Sequence, residues 1–109
     1  MKRSSRTVLM AKFEEMFFEI PGRIRRVFGY TPAYLLRMGA RLSGLGASKR
    51  FLQLPAVSSG FVRLVRGGHP ELTIEALVLD PQFAPIFTPE ELAIARQRLA
   101  GVQGLAVAA

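Results

Sequence analysis

His69 is the only histidine of the chain, and it stands in Gly67-Gly68-His69-Pro70. A metal site needs companion ligands at helical or finger spacing. With no cysteine and no second histidine, the sequence offers none. The carboxylate pairs Glu14-Glu15 and Glu90-Glu91 are adjacent. On a helix such neighbours diverge, so they cannot flank a scissile bond, and solvation or capping is the expected role. Ser58 and Ser59 lack a histidine base in any recognisable constellation. Gly44-x-Gly46 and Gly67-Gly68 are too sparse for a phosphate loop. The chain therefore reads as a non-enzyme, with no catalytic residue, no metal and no cofactor implied.

The arginines are the remaining chemistry. Residues 1–66 hold thirteen Lys/Arg against Glu14, Glu15 and Glu19, a net +10, whereas residues 67–109 hold two against five acids, a net −3. Arg23, Arg25, Arg26, Arg37, Arg41, Lys49 and Arg50 come from three consecutive predicted elements that could face one way. Phosphate contacts require such charges, and the guanidinium fork suits them. These seven are the candidate nucleic-acid-binding residues. The alternative is an ordinary arginine-rich surface. Tyr30 and Tyr34 could stack on bases, although core packing is the primary expectation. No base-reading helix-turn-helix is evident.

The elements that must position these residues punctuate themselves. Leu9, Phe13, Met16, Phe17 and Ile20 share one helical face, which predicts a first helix over 7–20 stopped or kinked at Pro21-Gly22. Phe18 lies off that stripe, so the apolar face is broad. Phe13, Phe17 and Phe18 are accordingly the candidate protein-interaction residues. Arg23 to Phe28 reads as a separate short segment broken by Gly29. Thr31-Pro32 predicts a capped start for a helix running to about Leu42, ended by Ser43-Gly44-Leu45-Gly46. Ser48 is expected to cap a further short helix through Leu52. That assignment places Lys49 and Arg50 at the end unfavourable for cations.

Two assignments compete for the next stretch. Phe61 to Val65 and Leu72 to Leu79 suit a β-hairpin by propensity. Alternatively, Ser59 caps one helix that Gly67 terminates in the left-handed conformation, and Thr73 caps a second with Glu75 in its first turn. Asp80-Pro81 ends that segment, and Phe83, Ile86 and Phe87 are expected core plugs. Thr88-Pro89-Glu90-Glu91 is a capping box with proline at the first helical position. It opens a helix to about Leu99, with Leu92, Ala95 and Leu99 inward and Arg96 and Arg98 near the favourable end.

From Tyr30 to Leu99 the chain resembles a small helical module recurrent in bacteria. The pieces that carry the resemblance are Tyr34-Leu35-Leu36-Arg37-Met38, Gly46 to Leu52, Gly60-Phe61 through Leu64 and, most specifically, Leu72 to Leu79, Phe83 to Thr88 and Ala95-Arg96-Gln97-Arg98-Leu99. Similar proteins carry Trp-Glu where this chain has Val65-Arg66, and Arg-Leu-Asp where it has His69-Pro70-Glu71. Such segments occur beside or within restriction-type and other DNA-processing proteins and mobile elements, and no activity is attached to them. The resemblance implies helices rather than a hairpin over 60–79.

The expectation is thus an all-α single domain over 1–109, of about five to six short helices, with frayed ends at 1–6 and 101–109; α+β with the hairpin is the alternative. Its function is expected to be that of a non-catalytic accessory protein binding nucleic acid, DNA ahead of RNA, in a bacterial defence or mobile-element setting. The alternative is a protein–protein interaction module or homo-oligomer using the Phe-rich first helix. No apolar run reaches the ~18–20 residues of a membrane span. The basic start lacks a cleavage site, and the absence of cysteine fits a reducing cytoplasm.

Overall fold

The computed structural model describes residues 5–101. These are all-α, with no strand among the described residues, which rules out the hairpin for this chain. Five α-helices follow in order: α1 (Ser5–Phe28), α2 (Ala33–Gln53), α3 (Ser59–Arg66), α4 (Ile74–Val78) and α5 (Pro89–Ala100). Short 3-10 helices at Pro70–Leu72 and Pro81–Ile86 join the last three. Of the ends expected to fray, only residues 5, 6 and 101 lie within the described part. Ser5 and Arg6 belong to α1, and Arg6 Nη1 donates to the Pro85 carbonyl at 3.1 Å.

Helix α1 does not stop at Pro21-Gly22, and the separate segment expected over 23–28 is its continuation. A proline inside a helix costs roughly 3 kcal/mol. Beyond the proline, Ile24 carries the buried stripe of Phe13, Phe17 and Ile20 one turn further. Burying Ile20 and Ile24 together contributes roughly 3–6 kcal/mol, enough to carry the helix through. The helix ends at Gly29, whose φ of 77° is left-handed.

Helix α2 is two arms. Thr31 does not cap it; its hydroxyl accepts instead from Arg25 Nη1 at 3.0 Å, and Pro32 occupies the cap position. At Ser43 (φ 70°, ψ 167°) the backbone leaves the helix for one residue. An unbroken helix would separate Tyr34 from Phe51 by roughly 25 Å, yet their ring centroids lie 5.9 Å apart. The arm 44–53 therefore folds back on the arm 33–42. The break falls where Ser43-Gly44-Leu45-Gly46 predicted it, but the second helix restarts at once rather than at Ser48. Gly39 and Gly44 allow the tight approach to α1: a Cβ on either would stand 2.6–2.7 Å from the Phe17 ring.

Helix α3 is capped by Ser58, one residue before the expected Ser59; its Oγ accepts from Phe61 N at 3.0 Å. The left-handed residue at its end is Gly68 (φ 85°) and not Gly67. His69 N donates to Leu64 O and Gly68 N to Val65 O, at 2.9 and 3.0 Å, which is a Schellman closure. Thr73 caps α4, and Thr88 with Glu91 forms the reciprocal capping box of α5, both as expected; Asp80, expected only to end the preceding segment, also caps Pro81–Ile86.

The core gathers Phe13 and Phe17 of α1, Leu52 of α2, Val78 of α4, and Phe83 and Ile86 between α4 and α5. Phe13 meets Phe83 and Phe87 edge-on, with centroids 5.1 and 5.4 Å apart. Phe13 and Phe17 are therefore withdrawn as protein-interaction residues, because both are wholly buried; Phe18 alone of the three is exposed, at 44%.

Ser48, expected as a cap, sits inside the second arm of α2, fully buried and with no hydrogen-bond partner for its hydroxyl. A buried, unpaired hydroxyl costs roughly 1–3 kcal/mol. Ser48→Ala is expected to leave the urea midpoint unchanged or raise it, by up to about 1 kcal/mol in stability. A loss of more than about 1 kcal/mol would mean that the hydroxyl is held by something the fold does not supply.

Candidate functional site

The seven residues expected to bind phosphate divide into two groups. Arg23, Arg25 and Arg26 are exposed on the last turns of α1; Arg37 and Arg41 are exposed one turn apart on the first arm of α2; Arg50 is exposed near the end of the second arm. Lys49 is not available in the same way. Its Nζ lies 2.6 Å from Glu91 Oε1 and 4.9 Å from the centroid of the Phe87 ring. Burial pushes the Glu91 carboxyl up, but hydrogen bonds from Lys49 and from the Thr88 amide outweigh it and hold the group below its ordinary value. The supposed misplacement of Lys49 and Arg50 at a helix start also disappears. Both lie in the second half of the arm 44–53, with Arg50 in its last turn, where a cation is favourable.

Two further cations belong beside the first group. Arg63 and Arg66 are exposed on α3 at i, i+3. The Arg63 guanidinium stacks 3.9 Å from the centroid of Tyr30. Arg25 and Arg63 thus both touch the connection between α1 and α2, one through Thr31 and the other through Tyr30. Arg23 stands near Glu71, whose carboxyl is held low first by its hydrogen bond with His69 and in smaller part by the charge of Arg23. The expectation of helices over 60–79 still left both out of the candidate set, although their i, i+3 spacing on such a helix was the signal that could have found them.

The acids are used differently. Glu14 accepts from the amides of Gly44 and Leu45, at 2.6 and 2.8 Å. Glu75 pairs with Arg98, Glu91 with Lys49, and Glu71 with His69. Asp80 accepts from the Gln82 amide at 3.2 Å. Five of the eight acids are thereby engaged within the fold, whereas among the described residues only two of thirteen Lys/Arg, Lys49 and Arg98, form ion pairs.

Arg98 sits near the end of α5, as the spacing predicts, and from there it serves α2, which the spacing does not reveal. Nη1 donates to the Phe51 carbonyl and to Glu75 Oε2, both at 3.1 Å, and Nη2 donates to the Leu54 carbonyl at 2.7 Å. The pair is nearly sealed, with side-chain exposures of 11% for Arg98 and 6% for Glu75. Both residues line a cavity of about 450 Å³ whose walls include Tyr30, Tyr34, Phe51 and Phe61. Tyr34, expected chiefly as core, is instead 54% exposed at this cavity. Among the described residues, no group of three or more His, Cys, Asp or Glu is placed to hold a metal ion, and no helix is long and apolar enough to cross a membrane. No family model, curated protein or solved structure matches the chain.

Removing the guanidinium would strand a buried carboxylate and the Leu54 carbonyl, while the Phe51 carbonyl would keep only the Leu54 amide. Arg98→Met is expected to cost about 3–5 kcal/mol. Arg98→Lys, which keeps the charge without the planar fork, is expected to cost at least about 1 kcal/mol. Urea unfolding followed by circular dichroism reads both. Unchanged midpoints in both variants would show that the network does not hold α5 to α2.

Proposed function

We propose that the chain is a non-catalytic accessory protein that binds nucleic acid, DNA ahead of RNA, through the arginine surface of α1, α2 and α3. The observation that carries this reading is the unequal use of charge. Five acids are spent on caps and internal pairs, while Arg23, Arg25, Arg26, Arg37, Arg41, Arg50, Arg63 and Arg66 stay exposed and form no ion pair among the described residues. A surface left electropositive in this manner attracts a polyanion and releases its counterions on contact. The bacterial defence or mobile-element setting rests on the resemblance of residues 30–99 and travels with the proposal.

Gel-shift titration of duplex DNA over a salt series tests it. The logarithm of the affinity is expected to fall steeply with the logarithm of salt concentration, by roughly 0.9 for each phosphate contacted. Arg26→Ala and Arg66→Ala are each expected to lower that slope by about one contact. An absent shift, or one insensitive to salt, sinks the reading.

A second reading is favoured by a different observation. Phe18, Val27 and Leu42 are large apolar side chains of the α1–α2 pair left 44%, 49% and 39% exposed. They suit a protein contact or a second copy of the chain. Light scattering is expected to show self-association that Phe18→Ser weakens. A strict monomer that retains no partner counts against this reading.

A further inference from the structure

We propose that the cavity between α2, α3, α4 and α5 takes a single nucleobase that carries an amino edge, either as a free nucleotide or as one base unstacked from a strand. The inference rests on the nucleic-acid reading only for its second source; the chemistry of the cavity stands by itself.

The volume of about 450 Å³ lies in the range of small-ligand sites. Its walls are aromatic. Tyr34 is exposed at the cavity and meets Phe51 edge-on at 5.9 Å, while Tyr30 carries the Arg63 guanidinium on its face. Of these rings only Tyr34 is half exposed, and an exposed ring at a cleft is a stacking platform for a flat ligand. The polar floor is the Glu75–Arg98 pair, with Glu75 only 4% exposed. Arg98 occupies Oε2. Oε1 has no partner among the described residues. In the proposed site this oxygen faces the cavity that Glu75 lines. A carboxylate oxygen accepts from an exocyclic amino group such as N4 of cytosine. A cation is the wrong guest, because Arg98 already neutralises Glu75 and repels a second positive charge. At the rim, Arg63 and the start of α3 at Ser59 and Gly60 supply a guanidinium and helix amides suited to a phosphate.

Isothermal titration of the full chain with AMP, CMP, GMP and UMP tests the proposal, alongside single-stranded oligonucleotides rich in dC or in dT. The amino-bearing bases are expected to bind at least about fivefold more tightly than uracil or thymine, whose one donor on that edge, N3–H, lies between two carbonyl oxygens that face and repel the carboxylate. Tyr34→Ala, at an exposed position that the core does not need, is expected to weaken every base by about fivefold or more. Glu75→Gln, first checked for native circular dichroism, is expected to erase the preference between bases. A preference seen with the mononucleotides assigns the site to free nucleotides. One seen only with the oligonucleotides assigns it to an extruded base. Equal binding of all bases, no saturable heat up to about 5 mM, or binding indifferent to Tyr34→Ala overturns the proposal. Duplex gel shifts separate the two readings. A salt-dependent shift that Tyr34→Ala leaves intact, together with no base preference, removes the pocket and leaves the arginine surface standing. A base preference without any duplex shift does the opposite.

Discussion

The arm 44–53 of α2 is capped at both ends by charges from other helices, and the packing of the rest follows from that. A helix of this length is marginal in water, because nucleation leaves its first amides and last carbonyls unpaired. Glu14 of α1 takes the amides of Gly44 and Leu45. Ser43, in its non-helical conformation, adds its hydroxyl to the Gly46 amide at 3.1 Å. At the other end Arg98 of α5 takes the carbonyls of Phe51 and Leu54. The carboxylate meets the positive end of the arm and the guanidinium the negative end, so both also oppose its dipole. Each cap works only if its own helix is docked. The arm therefore holds α1 on one side and α5 on the other, and their docking in turn holds the arm.

This arrangement explains which parts of the fold were legible in the sequence. Thr73 and the Thr88–Glu91 box cap helices from residues three positions away, and local spacing reveals such caps. The plugs Phe83, Ile86 and Phe87 announce themselves as apolar residues between prolines, and they are buried. Glu14 and Arg98 act over 30 and 47 residues, and no local pattern carries that information. Ser48 looked like a cap because serine favours caps. The true restart at Gly44 is specified by a carboxylate on another helix. Pro21 misled for the same reason: its local cost is real, but it is outweighed by the burial of Ile20 and Ile24 against elements distant in sequence.

The candidate site follows the same division. The exposed arginines were legible because exposure on a helix needs only spacing. Lys49 was not, since its partner Glu91 is 42 residues away. Phe13 and Phe17 looked surplus to a lone helix. They are the residues on which the Pro81–Ile86 segment and the glycine side of α2 close. Arg63 was left out even with 59–66 expected as a helix, because its stacking on Tyr30, which joins α3 to the connection after α1, spans 33 residues and has no local signature.

The cavity depends on the same constraint. Its wall residues Tyr34 and Phe51 meet only because α2 doubles back at Ser43, and its floor exists only when Arg98 reaches across from α5. Lysine could not do this. Two carbonyls and a carboxylate lie in three directions, and a planar fork of fixed donors serves all three at little further entropic cost, whereas an ammonium on a flexible stem does not. With the guanidinium committed to α2, Glu75 is neutralised on Oε2 and has no partner on Oε1 among the described residues. The residue that closes the fold thus sets the chemistry of the cavity: an acceptor with no net charge to offer, between aromatic rings, which selects a flat donor over a cation.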